Sequence, residues 1–247
     1  MNKKIALIPA RSGSKRLPNK NLAEIGGHPM IAYTINACIE SRIFDQVIVS
    51  TNSEEIAEVA KQYGAEIPEL RPSNLAEDNS PDIDWIKLAI NAWLDLKDED
   101  LYSILRPTNP LRHSNSIISA YEKFIASSDA HSLRAVKNVR EHPKKMWVSE
   151  TEDFISPFIP HINEITGVEG HSTPTQLLGT FYIQDASLEI SRTWVARRLN
   201  SLTGTRVIPF QLPNFEGFDI NYPEDLEFVR YLINIGKVSL PNLNAHS

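Results

Sequence analysis

Short apolar runs alternate with segments of helical periodicity along most of the chain. Continuous apolar runs of about five residues are typical of strands that are buried on both faces of a parallel sheet. Six runs predict strands, and the third of them is expected at a sheet edge: 5–8, 46–50, 66–70, 102–105, 131–136 and 179–182. We therefore expect a sheet built largely from sequential crossovers.

Apolar residues recur at helical spacing between these runs. The predicted buried faces are Ile31-Ile35-Cys38-Ile39, Ile56-Val59-Ala60-Tyr63, Ile83-Ile86-Ile90-Trp93-Leu94, Ile117-Ile118-Tyr121-Ile125 and Leu226-Val229-Ile233. Ser53 is a suitable N-cap for the second of these helices, and Gly64 is a suitable end. The alternation of strands and helices predicts an α/β fold with a mostly parallel central sheet, in which ligands bind beyond the carboxyl ends of the strands.

A basic loop follows the first predicted strand. Within ten residues it contains four cations, two hydroxyls and a glycine, although the chain has a formal net charge of −6: Arg11, Ser12, Gly13, Ser14, Lys15, Arg16 and Lys20. Cations concentrated in one loop of an acidic protein indicate a local anion site. Gly13 allows a tight turn whose backbone N–H groups can approach an anion. The alternative is a solvated loop with scattered charges.

The loop has neither the Gly-Lys-Ser/Thr ending of a P-loop nor the GxGxxG of a dinucleotide fold. The pattern Pro9-Ala10-Arg11-x-x-Ser14-Lys15-Arg16-Leu17-Pro18-x-Lys20-Asn21 closely resembles the N-terminal motif of the CMP-sialic acid synthetase (acylneuraminate or nonulosonate cytidylyltransferase) family. The resemblance implies a Rossmann-like three-layer nucleotidyltransferase fold and a homodimer. It also implies a reaction that joins CTP to a free nonulosonic acid, giving a CMP-sugar and pyrophosphate with Mg²⁺.

The same resemblance assigns the nucleotide contacts. They are Ala10, Arg11, Ser14, Lys15, Arg16, Lys20 and Asn21 in the basic loop, and Arg71 and Ser80 in a second polar loop. A helix cap is the alternative role for Ser80. Lys20, Arg11 and Asp219 are the expected catalytic residues, and Lys20 is our first choice for a group that stabilises the transition state.

A second loop after a strand reads Arg-Pro-Thr-Asn-Pro-Leu-Arg over 106–112. It resembles the family's Gln-Pro-Thr-Ser-Pro-Leu-Arg, whose residues face the sugar and phosphates, which implies sugar contacts from Arg106, Thr108, Asn109 and Arg112. A guanidinium in place of the usual amide can bind a carboxylate bidentately. A structural arginine is the alternative for Arg106.

The α/β pattern weakens between about 139 and 178. By resemblance this segment is a dimerisation insert that contributes Lys145 to the neighbouring sugar pocket, and a surface lysine is the alternative. His171 is a further predicted sugar contact. Gln176 stands where the family commonly has an arginine that binds the sugar's carboxylate, and Arg106 or Arg134 is a candidate replacement.

Asp219 and Asn221 precede the last predicted helix. The family has Asp-Ile-Asp at this point, and the resemblance implies that both positions hold Mg²⁺. Residues two apart on a strand face the same side, so they can share one ion. Mg²⁺ needs only one or two carboxylates when substrate phosphates supply other ligands. A helix start with Asn221 near the cap is the alternative.

Composition sets limits on the class of protein. Hydrophobic residues make up 41% of the 247 residues, which suits one domain over 1–247 with a substantial core. No apolar run approaches the length of a membrane span, and no signal peptide is evident. The excess of acidic over basic residues disfavours nucleic acid as a partner. The single cysteine, Cys38, excludes an internal disulfide, and we expect a cytoplasmic protein.

The sequence therefore predicts a cytidylyltransferase of the N-acylneuraminate type, whose substrates are CTP and a 3-deoxy-2-ketoaldonic acid. Two alternatives stay open. One is a CMP-Kdo synthetase or another sugar nucleotidyltransferase on the same fold. The other is a nucleotide-binding module without catalysis, which Asn221 and Gln176 would favour because each replaces a charged residue of the family.

Overall fold

The computed structural model describes residues 2–243. The strands in this part of the chain are β1 (Lys4–Pro9), β2 (Glu24–Ile25), β3 (His28–Pro29), β4 (Gln46–Ser50), β5 (Leu101–Leu105), β6 (Ser132–Asn138), β7 (Trp147–Ser149), β8 (Ile155–Pro157), β9 (Tyr182–Arg192) and β10 (Val207–Phe210). The α-helices there are α1 (Met30–Ser41), α2 (Glu54–Gln62), α3 (Asp82–Leu88), α4 (Ser114–Ile125), α5 (Thr193–Leu199) and α6 (Pro223–Asn234). A π-helical turn, Ala89–Trp93, continues α3. None of these helices combines the length and apolar character needed to cross a membrane.

The described chain forms two compact units, one comprising 2–135 with 185–243 and the other 136–184. The smaller unit contains the antiparallel hairpin β7–β8 and short 3-10 turns. Within it the buried His142 ring packs edge to face on Phe181, with ring centroids 4.7 Å apart. The side-chain amide of Asn163 bonds Leu177 O, so polar turns rather than a large core organise this unit. The predicted insert at about 139–178 lies inside it, and its role in dimerisation stays a prediction.

The central sheet of the described chain has six strands in the order β10-β6-β9-β5-β1-β4. β1 pairs in parallel with β4 on one side and with β5 on the other, and β6 pairs in parallel with β10. β9 runs antiparallel to β5. The predicted α/β class with a mostly parallel sheet is therefore confirmed.

Alternate residues of β1 are buried on opposite faces of the sheet. Ala6 and Ile8 belong to a core cluster with residues of α1, α2 and α4, whereas Ile5 and Leu7 pack with residues of α3 and α5. Helices thus cover both faces, as the unbroken apolar run predicts. Cys38 lies in the first cluster, and burial raises the pKa of its thiol to about 12, which suits a structural role.

Three local predictions were wrong. Residues 179–181 do not form a strand, since β9 begins at Tyr182 and continues to Arg192. Residues 66–70 do not form a strand, because only Glu66 makes a bridge to β4; Pro68 lacks an N–H donor and Leu70 is exposed. At the end of α4 the buried residue is Phe124, whereas Ile125 is 54% exposed. The predicted caps of α2 are confirmed, since Ser53 Oγ accepts the Ile56 N–H and Gly64 follows the helix with a positive φ.

The neighbouring residues at the end of α4 provide a test of the core. Phe124→Ala should lower the free energy of unfolding by about 3–5 kcal/mol, because it removes a fully buried ring. Ile125→Ala is the matched control and should change it by less than about 0.5 kcal/mol. Urea denaturation measures both, and a larger loss for Ile125→Ala would contradict the assigned helix face.

Candidate active site

Three adjacent parallel strands determine where the site lies. Because β5, β1 and β4 run in the same direction, the loops that follow them meet at one edge of the sheet. A cavity of about 540 Å³ opens there. It is lined by Pro9, Arg11, Ser14, Lys15, Arg16, Lys20, Asn21, Arg71, Asp78, Asp82, Arg106, Pro107, Thr108, Ala186, Asp219 and Asn221.

The basic loop is held by hydrogen bonds to its own backbone and to the loop after β4. The Asn21 side chain donates to Arg11 O at 3.1 Å, which draws the two ends of the loop together. Asn52 Oδ1 accepts the Ser12 N–H at 2.9 Å, and its amide nitrogen donates to Ser12 Oγ at 3.0 Å. Gly13 has a φ of +77°, a conformation that favours glycine. The loop therefore turns tightly, as predicted.

A single carboxylate forms ion pairs with two of the loop's cations. Asp78 Oδ1 lies 2.7 Å from Arg11 Nη2, and Asp78 Oδ2 lies 2.6 Å from Lys15 Nζ. Hydrogen bonds from Lys15 and Arg11 hold the pKa of Asp78 below its usual value. The backbone carbonyl of the buried Ala76 also accepts from Arg11, at 3.1 Å. Asp78 is thus the internal counter-ion of this part of the loop.

The other two cations converge on Asn221. Its side-chain oxygen accepts from Lys20 Nζ at 3.1 Å and from Arg16 Nη2 at 3.4 Å. Its amide nitrogen donates to Asp219 Oδ2 at 2.6 Å. The N–H groups of Asn221 and Tyr222 donate to Asp225, which anchors the start of α6. The helix-start interpretation of Asn221 is therefore confirmed.

Asp219 retains an acceptor that suits a cation. Its Oδ1 is buried and has no hydrogen-bond partner. Such an orphaned carboxylate oxygen is costly unless a cation or donor binds it. Among the described residues, no group of three or more His, Cys, Asp and Glu side chains is arranged to hold a metal ion. Asp219 alone fits a Mg²⁺ that takes its other ligands from phosphates and water, whereas the oxygen of Asn221 already accepts from two cations.

Arg71 lines the cavity, and its guanidinium group packs on an aromatic ring. Its guanidinium carbon lies 4.4 Å from the ring centroid of Trp85, and its Nε and Nη2 donate to Ser50 Oγ and O at 2.9 and 3.0 Å. Burial lowers the pKa of Arg71, and Asp82 opposes that shift. Arg71 is therefore held rigidly, with its position set by β4 and α3.

Arg106 belongs to a chain of alternating charges. Its Nη2 lies 2.7 Å from Asp82 and 3.7 Å from the buried Glu189, and Glu189 lies 2.9 Å from Arg134 Nη2. Although burial favours the neutral form, the carboxylates of Asp82 and Glu189 hold the pKa of Arg106 above its usual value. Arg106 thus presents a permanent positive charge to the cavity. Arg134 does not line the cavity and instead pairs with Glu189.

Most of the predicted contacts in this unit converge on the one cavity. Four do not line it: Ala10, Ser80, Asn109 and Arg112. Ala10 is buried, and its N–H bonds β4 at Ser50 O. Ser80 Oγ donates to Asn74 O at 2.7 Å, and it does not cap α3, whose N-cap residue is Pro81.

Asn109 and Arg112 are buried beneath the cavity wall. The Asn109 amide donates to Phe218 O at 3.0 Å. Arg112 is 1% exposed and donates to Ser187 O, to Thr34 Oγ1 and to Arg106 O. The side chain of Arg112 is therefore enclosed by the protein and does not line the cavity, and its assignment as a sugar contact stays a prediction.

The three predicted sugar contacts of the insert lie in the smaller unit. Lys145 ends a 3-10 turn, and its backbone N–H bonds His142 O. The His171 ring lies 4.8 Å from the Trp147 ring and bonds the Ser172 hydroxyl at 3.0 Å. Gln176 is exposed. Their roles toward a sugar stay predictions.

Several cavity residues were missed by the sequence analysis. Asp78 occurs in the acidic, proline-containing loop before α3, and Asp82 is the first residue of that helix. Their negative charge opposite the basic loop was the available signal. Ala186 carries no such signal, because an alanine within a strand is ordinary. Only the backbone conformation of Ala186, with a φ of +60°, distinguishes it.

A family model described as cytidylyltransferase matches residues 5–152, more than half of the chain. The chain belongs to the cytidylyltransferase family. The family resemblance drawn from the basic loop is therefore confirmed. The matched region carries every cavity residue from Pro9 to Thr108, including those of the basic loop, Arg71 and Arg106.

Known proteins similar to this cytidylyltransferase span nearly its full length. The CMP-N,N'-diacetyllegionaminic acid synthase of Legionella pneumophila is 43% identical over 242 residues, which is 96% of this chain and 98% of that protein. A pseudaminic acid cytidylyltransferase of Campylobacter jejuni is 29% identical over 239 residues, covering 96% and 99%. The solved structure of CMP:2-keto-3-deoxy-manno-octonic acid synthetase complexed with CTP is similar with a TM-score of 0.66, covering 95% of this chain and 100% of that one. At 15% identity it shows likeness of fold alone.

The electrostatics of Lys20 predict a stability gain on its removal. Burial lowers the pKa of Lys20, and Asp219 opposes this shift. The guanidinium groups of Arg16, Arg106 and Arg11 lower it further. Charged Lys20 is therefore less favourable in the folded than in the unfolded chain. Without nucleotide at about pH 7, Lys20→Gln should have a higher free energy of unfolding than wild type.

The advantage of Lys20→Gln should shrink as the pH rises through the folded-state pKa of Lys20. There the folded wild type loses its proton before the unfolded chain does, so wild type gains stability with pH. Urea denaturation at neutral and alkaline pH measures this difference. Lys97→Gln, at an exposed site, is the control and should show no gain. A less stable Lys20→Gln at neutral pH would contradict the burial argument.

Proposed function

We propose that this chain transfers the cytidylyl group of CTP to a free nonulosonic acid and releases pyrophosphate. The observation that carries the proposal is one cavity with four cations of the basic loop, the orphaned Asp219 carboxylate oxygen and the permanently charged Arg106. A polyanionic nucleotide and an acidic sugar both match that lining. The full-length relatives named as nonulosonic acid synthases or cytidylyltransferases support the same substrates.

The triphosphate is proposed to bind the basic loop. Lys20 and Arg16 converge within hydrogen-bond distance of the same Asn221 oxygen, so their charges already concentrate at one point. Arg11 and Lys15 are paired with the exposed Asp78, which a stronger anion can displace. Charge-assisted contacts to phosphate oxygens are strong and need little rearrangement of such side chains.

Catalysis is proposed to rest on positioning and charge stabilisation. The anomeric hydroxyl oxygen of the acid attacks the α-phosphorus in line, and its proton is released. A new oxygen–phosphorus bond forms as the bond from the α-phosphorus to the bridging oxygen breaks, and pyrophosphate leaves with that electron pair. Lys20 and Arg11 stabilise the charge that develops on the phosphate oxygens.

Mg²⁺ is the proposed cofactor. Asp219 would hold it through the buried Oδ1 that has no other partner. When bound, the ion would supply positive charge that polarises the phosphate oxygens. Asn221 contributes a ligand only if its oxygen leaves Lys20 and Arg16, so Asp219 is the main protein ligand in this proposal.

Arg106 is proposed to bind the carboxylate of the acid. It lines the cavity, and Asp82 and Glu189 approach the same terminal nitrogen, Nη2, which orients the guanidinium plane. Arg134 is a weaker candidate for this role because it pairs with Glu189 away from the lining. This assignment explains how the site can accept an acid although Gln176 has no charge.

The first candidate substrate is a diacetylated legionaminic-type acid, since the relative of that name is 43% identical over its full length. Sialic and pseudaminic acids are the next candidates. A CMP-Kdo synthetase is less favoured, because similarity to that enzyme rests on fold at 15% identity.

A homodimer formed through the smaller unit is also proposed. That unit exposes a set of large apolar side chains, all more than half exposed: Phe154, Ile155, Phe158, Ile162 and Ile165. These side chains fall within one stretch of twelve residues, and large exposed apolar patches mark interaction sites. Sedimentation equilibrium tests the assembly, and a monomer at micromolar concentration would overturn it.

The deciding experiment measures pyrophosphate release from CTP and Mg²⁺ with a panel of acids. The panel contains legionaminic, sialic and pseudaminic acids and Kdo, with GTP and UTP as nucleotide controls. Release with CTP and one nonulosonic acid supports the proposal and identifies the substrate. Binding of CTP by calorimetry without release from any acid would favour a nucleotide-binding module, and no CTP binding would overturn the proposal.

Lys20→Ala should reduce kcat by about 10²-fold or more, because it removes a preorganised cation from the phosphate-binding loop. Lys97→Ala is the control and should leave kcat unchanged. Steady-state pyrophosphate release measures both variants. A kcat for Lys20→Ala within about twofold of wild type would show that Lys20 does not stabilise the transition state.

Asp219→Asn should raise the Mg²⁺ concentration needed for half-maximal rate by about tenfold or more, since it replaces an anionic ligand by a neutral one. The control is Asp98→Asn, which removes an ion-paired carboxylate outside the cavity lining. Magnesium titrations of pyrophosphate release measure the requirement. An unchanged requirement in Asp219→Asn would exclude Asp219 as the principal ligand.

A further inference from the structure

Ala186 has an unusual backbone conformation for a residue with a side chain. Its φ is +60°, in the left-handed region, where the Cβ atom is crowded by the backbone. Glycine would adopt the same conformation without this crowding. Residues held in such conformations cluster at functional sites, where the surrounding structure enforces them. Ala186 lines the cavity of the candidate active site.

The neighbouring residues hold Ala186 in this conformation. Asp185 Oδ1 accepts from the Ser187 N–H at 3.0 Å and from the Ser187 hydroxyl at 2.6 Å. These bonds link the residue before Ala186 to the residue after it. Gly217 makes room for this carboxylate, because a Cβ atom at that position would lie 2.4 Å from Asp185 Oδ2. The conformation is thus determined by contacts on both sides of the residue.

The sheet register locates Ala186 beside the wall formed by the loop after β5. The last residue pair between β5 and β9 is Leu105 with Leu188. Beyond it, Ser187 O still accepts the Arg106 N–H at 3.4 Å. Ala186 therefore follows directly on the backbone contact to Arg106, whose side chain lines the same cavity.

Alanine occupies a position where glycine would be less strained, so its methyl group needs an explanation. We propose that Ala186 is a specificity-determining residue, whose methyl group contacts a substituent of the acid substrate and limits its size. This inference rests on the proposed function, because the Arg106 wall is there assigned to the acid. If the methyl group had a purely structural role, its removal would change the stability of the fold and would leave KM for both substrates unchanged.

Two substitutions and one control test the inference. Ala186→Gly removes the methyl group and the crowding, and Ala186→Leu adds a larger side chain at this cavity-lining position. Arg42→Gly is the control, because Arg42 has a φ of +54° at the exposed end of α1, outside the cavity lining. Pyrophosphate release gives KM for CTP and for each acid of the panel, and thermal denaturation gives Tm.

We expect Ala186→Gly to raise Tm and to raise KM for the acid about fourfold, the loss expected for one buried methyl group. Ala186→Leu should raise KM for the acid by about tenfold or more, most strongly for acids with the largest substituents. KM for CTP should stay unchanged in both variants. Arg42→Gly should raise Tm without changing either KM.

The inference would be overturned if either variant changed KM less than twofold for every acid. It would also be overturned if KM for CTP changed while KM for the acids did not. If Ala186→Leu does not fold, Ala186→Gly decides the matter, because relief of crowding favours its folding. A wild-type protein that releases no pyrophosphate with any acid contradicts the proposed function and with it this inference. An active wild type with unresponsive variants contradicts this inference alone.

Discussion

The parallel pairing of β1 between β4 and β5 is the constraint on which the candidate site depends. It aligns three strand ends at one sheet edge, and the loops that begin there come from positions about 40 and 100 residues apart. Burial of β1 on both faces makes this alignment rigid, because a shift in register would move Ile5 or Ile8 out of its core cluster. The cavity is thus positioned by the sheet before any loop side chain contributes.

The second constraint is the mutual repulsion of the cations in the cavity. Protein acceptors reduce this repulsion. Asp78 pairs with Arg11 and Lys15, whereas Asn221, which is bonded to Asp219, accepts from Arg16 and Lys20. These contacts do not remove the cost fully, as the lowered pKa of Lys20 shows. Residual repulsion among these cations favours the binding of a polyanion, which is the expected compromise between stability and function.

Arginine residues illustrate why the site was only partly predictable. Arg106 and Arg112 stand at the two ends of one predicted loop, yet Arg106 lines the cavity and Arg112 is fully enclosed. The acceptors that enclose Arg112 include Thr34 Oγ1 and Ser187 O, each more than 70 residues away along the chain. Periodicity and spacing report local structure and carry no information about such distant partners. Asp78 was not predicted as the counter-ion of Arg11 and Lys15 for the same reason, since it is more than 60 residues from them along the chain.

The sequence by itself determined the alternation of strands and helices, the parallel character of the sheet, the capped ends of α2, the basic loop and the family. These follow from local periodicity, turn residues and one dense motif. Only the tertiary structure decided that Asp78 pairs with Arg11 and Lys15, that Asn221 faces Lys20, and that Ala186 lines the cavity in a strained conformation. Each of these depends on contacts between distant segments, and the packing of the sheet and its loops alone brings those segments together.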